Sequence, residues 1–514
     1  MSKTYDAIVI GGGHNGLTTA TMLAMKGKKV LVLEKRNVLG GIAAGEEFHP
    51  GYFTTGLLHD TTGVRQSVIN DLSLEKFGLK MHGARPGFSV LSKDGKCLTL
   101  GGDVNATCAA IAKFSQKDAD AYRDYQEFIN KISGFVNSLV NDLPPDLSDF
   151  GSSQIWNLAR KGFALKRLGK KTMMEFLKVA PMSVADFLNE KFETSFIKAG
   201  IAAPAIYGAF TGPLSSYSTL NLLLWECTAG NHIEGGPQAL IAALEKAAKS
   251  KGVEIRTQSG VDKILLDGAG KVKGLRLAGG EEISTSLAAS SCTPRVTFYD
   301  LLQPSQINYS LDHSIQHYRS RGTTAKVNLA VNQAVKFNGV DGIEFARTGN
   351  SLIEMEKAFD AVKYRNFSEE PVLDVHIPTV KHAGLAPQGH AVISILVHVA
   401  PYLLDEGWGP QAKEKLLKRV IQTLAQYVPD LASAVVGSQV LSPSDLESEY
   451  CLTGGHIFHG EHAVDQLLTR PIPSCARYAT PISGLYLCGS GSHPGGGITC
   501  APGYLAAKMI LSSH

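Results

Sequence analysis

What the sequence does without narrows it first. Its eight cysteines stand singly at positions 97, 108, 227, 292, 451, 475, 488 and 500, and no C-x-x-C occurs. A redox dithiol, a zinc ribbon and an iron–sulfur cluster all need cysteines at short paired spacing, so none of these, and no metal site, is expected. Free thiols in a reducing compartment fit the scatter. The longest apolar run, Ala391 to Leu404, is interrupted by Ser394, His398 and Pro401 and is too short to cross a bilayer. An excess of one charge is also missing. Fifty Lys and Arg face 47 Asp and Glu, and a net charge of +3 offers nucleic acid nothing to hold. Internal repeats and low-complexity tracts are lacking as well. The first strand begins by residue 5, which leaves no room for a leader peptide. The expected location is cytoplasmic or equivalent, with membrane contact at most peripheral.

What is present is a chain of 514 residues, 44% hydrophobic and 19% charged. That exceeds what a single core serves, so two domains are expected. The most informative stretch is Tyr5 to Glu34. Ala7 to Ile10 has the composition of a buried strand, Gly11-Gly12-Gly13-His14-Asn15-Gly16 is a turn, Leu17 to Met25 reads as a helix, and Lys28 to Leu33 is a second strand ending on Glu34. This is a βαβ unit with G-x-G-x-x-G at its first turn and an acid at the end of its second strand. Gly11 permits the turn, Gly13 lets backbone approach a diphosphate, and Gly16 lets the helix pack on the strand. The helix N-terminus offers N–H groups and a positive dipole end to that diphosphate. Glu34 accepts ribose hydroxyls and disfavours a 2′-phosphate, so the motif predicts FAD or NAD and leaves the choice between them open.

Lys35 to Gly41 follows as a loop ending in a glycine pair. The dinucleotide motif, the ribose acid and Gly40-Gly41 together resemble the large FAD-dependent superfamily that includes phytoene desaturases and amine oxidases. Many members follow the pair with Arg; here Ile42 stands instead, so one expected diphosphate contact is missing. His49-Pro50-Gly51-Tyr52-Phe53 continues the family pattern as a loop returning towards the flavin. A second specific segment lies near the other end. The strand Gly484 to Gly489 runs through Ser490-Gly491-Ser492-His493-Pro494 into Gly495-Gly496-Gly497-Ile498, and Ala501 to Leu511 is the helix beyond. Its glycines are expected to leave backbone N–H groups open beside a planar ligand. With Thr453 to Gly460 and Asp465-Gln466-Leu467, this segment is similar to the branch named for pyridine nucleotide-disulfide oxidoreductase domain-containing protein 2. A disulfide reductase needs a cysteine pair and a second dinucleotide fold, and this chain has neither motif, so no stable NAD(P)H site is expected.

The resemblance implies an α/β fold: a Rossmann-like FAD-binding domain (GR2-type, a parallel sheet with a β-meander) beside a discontinuous α+β substrate domain. Residues 1–63, 231–305 and 452–514 fall to the first, and 64–230 and 306–451 to the second. It implies FAD contacts at Gly11, Gly13, Asn15, Gly16, Glu34, Lys35, Gly41, Ile42, Val261, Gly489, Ser490, Gly496, Gly497 and Ile498. Within the first domain, Ala239 to Ser250 reads as a helix, and Gly252 to Thr257, Val261 to Leu266, Lys271 to Leu277 and Glu282 to Ala289 as strands. Residues 64–230 are mostly helical in period, with apolar positions three and four apart from Asp103 to Leu143. Lys326 to Val331, Val372 to Ile377 and Ala391 to Val399 read as strands, and Ala412 to Tyr427 as a covering helix.

The implied activity is FAD-dependent oxidation of C–H bonds, or isomerisation of double bonds, in an apolar, lipid-like substrate, with hydride passing between substrate carbon and flavin N5. His59, Asp60, His232 and His493 lie near the flavin-facing segments but read better as packing residues, and no catalytic residue is assigned. A flavin-holding scaffold with little turnover is the alternative, and amine oxidation ranks third because Ser490 replaces an acid common in amine oxidases. The stretch from Arg160 to Lys178 sets Arg160, Lys161, Lys166, Arg167, Lys170 and Lys171 among Phe163, Leu165, Leu168, Met173, Met174, Phe176 and Leu177. Such a face is usually solvated, but it can also lie on an anionic membrane. Nothing in the sequence fixes an oligomeric state.

Overall fold

β1 (Ala7–Ile10), α1 (His14–Met25) and β2 (Val30–Leu33) form in the order the sequence predicts. All four residues of each strand are buried, as befits a parallel sheet covered on both faces. The computed structural model describes residues 4–83, 85–145, 152–467 and 469–513. A five-stranded parallel sheet runs in the order Leu485–Leu487, Ala288–Ser290, β1, β2, Glu254–Arg256. The carboxyl-terminal strand therefore lies two places from the amino-terminal one. One face of this sheet packs through Val9 and Val32 on Leu17 and Leu23 of α1 and on Leu240, Leu244, Leu505 and Ile510, from the helices Gly236–Ser250 and Ala501–Ser513. The other packs through Ile8, Ile10, Leu31 and Leu33 on a three-stranded antiparallel meander of Val261–Leu266, Val272–Leu277 and Glu282–Ser284.

A second sheet has seven strands in the order Val435–Leu441, Thr324–Val331, Ala391–His398, Val372–His376, Phe345–Arg347, Phe88–Leu91, Cys97–Leu100. Val327, Leu329, Leu373, Val375, Ile393, Ile395 and Val397 cover one face of it and bury against Leu416, Val420 and Leu424 of the helix Pro410–Ala425. Because side chains alternate across a strand, Lys326, Asn328, Asp374, His376, Ser394 and His398 occupy the opposite face. Those six are also buried. A separate helical core, built on Gln116–Asn141, Ser195–Ala202, Ser218–Thr228 and Leu352–Lys363, sits against the edge of this sheet.

Four local expectations change. The stretch Glu282 to Ala289 is two strands in different sheets, because Thr285 turns the chain by accepting the Leu287 N–H on its hydroxyl. Residues 47–53 form a hairpin, Glu47–His49 with Tyr52–Phe53, turned at Gly51 with φ +81°. The helical period of 103–143 is two helices, broken where Ser115 caps the second by accepting the Asp118 N–H. Within the helical segment, Phe88–Leu91 and Cys97–Leu100 are a hairpin whose turn carries Asp94-Gly95, a strong local signal for that geometry. All eight cysteines are free.

Candidate active site

The two glycine-rich turns meet. Asn15, in the first turn of α1, donates from Nδ2 to Ser490 Oγ at 3.1 Å and accepts the Gly503 N–H on Oδ1 at 3.3 Å. Thr19 Oγ1 donates to the Gly503 carbonyl at 2.9 Å. A Cβ on Gly503 would sit 2.2 Å from the Asn15 carbonyl oxygen, so that glycine sets the closeness of the two helices. Between the turns lies a cavity of about 870 Å³, a volume suited to a nucleotide-sized ligand. Gly11, Gly13, Asn15, Glu34, Lys35, Gly41, Ile42, Val261 and Ser490 all line it.

Each glycine of the first turn meets a different neighbour. A Cβ on Gly16 would fall 2.0 Å from the Gly11 carbonyl oxygen, and Gly11 itself has φ +95° with Ser291 Oγ where a Cβ would go. These two are required by the protein's own packing. Gly13 differs: its nearest neighbour in that direction is the Gly40 carbonyl oxygen at 3.9 Å, so the space beside it faces the cavity. Glu34 is held by the Gly12 N–H at 2.7 Å and the Arg36 N–H at 2.8 Å. Its carboxylate thus braces the turn while lining the cavity.

Arg36 supplies a cation to a cavity whose expected arginine, at position 42, is absent. Its guanidinium pairs with Glu46 at 2.6 Å and lies 4.3 Å over the Tyr450 ring, while Nη1 is buried with no partner. His14 and His459 line the same cavity, with His14 Nε2 and His459 Nδ1 also lacking partners. Burial pushes the His14 pKa down to about 4, opposed by a hydrogen bond with the Gly497 backbone. Burial likewise lowers His459 to about 3. A polyanionic, hydroxyl-rich ligand satisfies such donors. These orphaned groups, the open side of Gly13 and the cavity volume fit an adenine dinucleotide.

A second cavity, about 140 Å³, lies beyond the carboxyl-terminal turn and is lined by Gly496, Gly497 and Ile498. The glycine run does not behave uniformly. The Gly496 N–H donates to His462 Nε2 at 3.1 Å, and a Cβ there would meet Phe458 Cβ at 2.2 Å. His462 also occupies the space beside Gly495. Backbone N–H groups open along the whole run are therefore not what forms, because His462, stacked on Phe458, covers the first two glycines. Gly497, at φ +93°, has only Thr499 Cγ2 near it, at 3.6 Å. Gly489 lines neither cavity; a Cβ on it would strike the Ser291 carbonyl oxygen at 2.4 Å.

Leu58, Val140, Leu224, Ile457, Phe458 and Pro494 give this second cavity much of its apolar lining. The polar sheet face adds Asp374 and His398 to the lining. Despite its burial, Asp374 stays well below the usual carboxylate range, held there by His59 and Arg347. Burial pushes His398 down to about 4. Lys326, on the same face, is 1% exposed, its Nζ has no partner, and burial lowers it to about 7 against the opposing pull of Asp374.

His59 lines the cavity with Nε2 3.6 Å from Asp374. Asp60 accepts from the Thr62 N–H and hydroxyl and from Trp225 Nε1, a set of bonds that ties its loop to the helix Ser218–Thr228. His232 bonds the Thr61 hydroxyl at 2.9 Å, and His493 lies in a small apolar space with Val136, Phe176 and Leu467. Lys326, Asp374 and His398 were not singled out from sequence. The signal available was that the polar residues of three otherwise apolar strands, TAKVNLAV, VLDVH and AVISILVH, all fall on one alternating face.

The sequence model described as flavin containing amine oxidoreductase matches residues 16–503. Pyridine nucleotide-disulfide oxidoreductase domain-containing protein 2 of Rattus norvegicus is 32% identical over 545 residues, covering 99% of this chain and 94% of its own. One of the chains of limonene dehydrogenase from Castellaniella defragrans is 28% identical, covering 99% and 94%. Among solved structures, a putrescine oxidase triple mutant superimposes with a TM-score of 0.61 at 15% identity, covering 99% of both chains, which is a likeness of fold. With its two ends closed around one nucleotide-sized cavity and the family match running through both, this chain belongs to the flavin containing amine oxidoreductases and is an FAD-dependent oxidoreductase.

Proposed function

We propose that this oxidoreductase acts on carbon–carbon bonds of an apolar, lipid-like substrate, by C–H oxidation or double-bond isomerisation, in the cavity beyond Gly497. The observation carrying this is the apolar wall of Leu58, Val140, Leu224, Ile457 and Phe458 facing the cofactor-side glycine. The limonene dehydrogenase chain, matched over the same share of its length as the first relative, is in keeping with it by name. In this division of labour residues 1–63, 231–305 and 452–514 hold FAD, and 64–230 and 306–451 hold the substrate together with Leu58, Ile457 and Phe458 from the first set. Gly13, the N-terminus of α1 and Arg36 receive the diphosphate and ribose, and Glu34 accepts the ribose hydroxyls. Bound FAD supplies the hydride acceptor. The protein orients the substrate and excludes water, and His14, His398 and His459, lowered by burial, stay neutral at pH 7.

The test has two stages. Flavin released on denaturation is identified by chromatography, and FAD is the expected result. The holoenzyme is then photoreduced without oxygen and mixed with oxygen or a quinone. Reoxidation by either establishes turnover capacity and identifies the electron acceptor. A flavin that neither reduces nor reoxidises would refute catalysis.

We also propose peripheral contact with an anionic bilayer through the helices Ser152–Arg167 and Lys170–Val179. Trp156 is 74% exposed and Phe163 62%, and a spacing of seven places them on one helix face. Arg160, Lys166, Arg167, Lys170 and Lys171 are exposed around them. Exposed aromatics rimmed by cations are the composition of an interfacial helix. No described helix is long and apolar enough to cross a membrane.

A further inference from the structure

The cavity beyond Gly497 is not lined by apolar groups alone. Asp374 and His398, which also line it, are 7% and 1% exposed. The nearest cationic atoms to Asp374 are His59 Nε2 at 3.6 Å and Arg347 Nε at 3.9 Å, both beyond direct hydrogen-bond reach. Both ring nitrogens of His398 are buried without partners, and the ring stacks on Tyr207 at 4.4 Å with 15° between planes. In the strand register Val372 faces His398 and Asp374 faces Leu396. Asp374 and His398 are therefore diagonal neighbours on one sheet face, roughly 7–8 Å apart at Cα.

Both side chains line the cavity, so one small polar group entering it can meet both. A hydroxyl there donates to the Asp374 carboxylate and accepts from the His398 N–H. A pure hydrocarbon in the same cavity would cover the carboxylate and the imidazole without satisfying either, which weakens binding. Charge argues against a cation as the occupant. Arg347 already lies beside Asp374, and Lys326 stands on the same sheet face. Taking this cavity as the substrate site proposed above, we infer that the substrate is an amphiphile: a lipid-like hydrocarbon carrying a neutral hydroxyl that docks between Asp374 and His398.

Titrating the holoenzyme with 1-octanol, 1-methoxyoctane and octylamine tests this, read by calorimetry and by perturbation of the flavin absorbance. The methyl ether keeps the acceptor oxygen and loses the donor. Octanol should bind about tenfold or more tighter than the ether, and the ammonium no tighter than octanol. Asp374→Leu, which leaves no acceptor, should remove most of octanol's advantage without weakening the ether, whereas His398→Phe, which keeps the ring on Tyr207, should weaken octanol and the ether alike. The alcohol–ether comparison on the unaltered protein stands even if a variant fails to fold. Equal affinity for alcohol and ether would overturn the inference while leaving an apolar substrate in place, with water alone on the polar wall. Tighter binding of octylamine would overturn the assignment of a neutral group. If none of the three binds, the cavity is not the substrate site, and the proposed function falls together with the inference.

Discussion

Replacing Gly13 with alanine separates the needs of the ligand from those of the fold. Gly13 has φ −72° and ψ 173°, extended backbone open to any residue, and a new Cβ would come no closer than 3.9 Å to protein. The change should not strain the apoprotein. Loss of glycine's freedom in the unfolded chain should stabilise it by about 0.4–1 kcal/mol. For bound FAD the sign reverses, because the methyl group enters the space the diphosphate is proposed to occupy. Overpacking alone costs about 1–3 kcal/mol. Moving a phosphate off the helix N-terminus removes charge-assisted hydrogen bonds worth roughly 1.5–3 kcal/mol each. With one such bond lost these give at least ~2.5 kcal/mol, or upward of about sixtyfold in Kd. Reconstitution of apoprotein followed by flavin fluorescence quenching measures the affinity, and thermal unfolding of the apoprotein measures the stability. Gly16→Ala is the contrasting control, since its Cβ would lie 2.0 Å from a backbone oxygen and should prevent folding. If Gly13→Ala bound FAD as wild type does, the diphosphate would have to lie elsewhere.

Acid should destabilise the protein early. His14, His398 and His493 are lowered to about 4, and His376, His456 and His459 to about 3, mainly by burial. The unfolded chain binds more protons than the folded one below about pH 6.5, so the stability present above that pH is lost as pH falls through 4, at up to roughly 1.4 kcal/mol per pH unit for each histidine. Urea midpoints between pH 8 and 5 measure this, and a flat profile would contradict it. Lys326, lowered to about 7, carries the same sign at higher pH: its relative stabilisation is complete above about 10.5 and lost as pH falls through 7. Lys326→Met should therefore be more stable than wild type near pH 7, by an advantage that shrinks towards pH 10; an advantage constant with pH would show that Lys326 is charged when folded. Neutralising Arg160, Lys161, Lys166, Arg167, Lys170 and Lys171 should abolish flotation with phosphatidylserine liposomes, since each basic residue near such a surface contributes about 1 kcal/mol. Unchanged flotation would remove the proposed membrane contact.

The cofactor end of the molecule was legible because its chemistry is local. The turn from Gly11 to Gly16, the acid at Glu34 and the strand–turn–helix after Gly484 are written in consecutive residues, and the structure places them with those conformations. Legibility failed where the need was for a neighbour rather than a conformation. Gly495 and Gly496 looked open, yet His462 and Phe458, more than thirty residues away in sequence, cover them. Arg36 looked like an ordinary loop residue until Tyr450 and Glu46 fixed its guanidinium at the cavity. The hairpin of Phe88–Leu91 with Cys97–Leu100 was hidden inside a helical segment because its strands are short and their partners lie near residue 346.

The sequence by itself determined the βαβ unit, the cofactor class and the lack of a closely spaced cysteine pair, since each depends on residue type at short spacing. Only tertiary structure decided that Lys326, Asp374 and His398 share one buried face. Strand alternation tells which residues share a face. Which face is sealed against helix Pro410–Ala425, and which closes a cavity, is settled by elements that arrive from far along the chain.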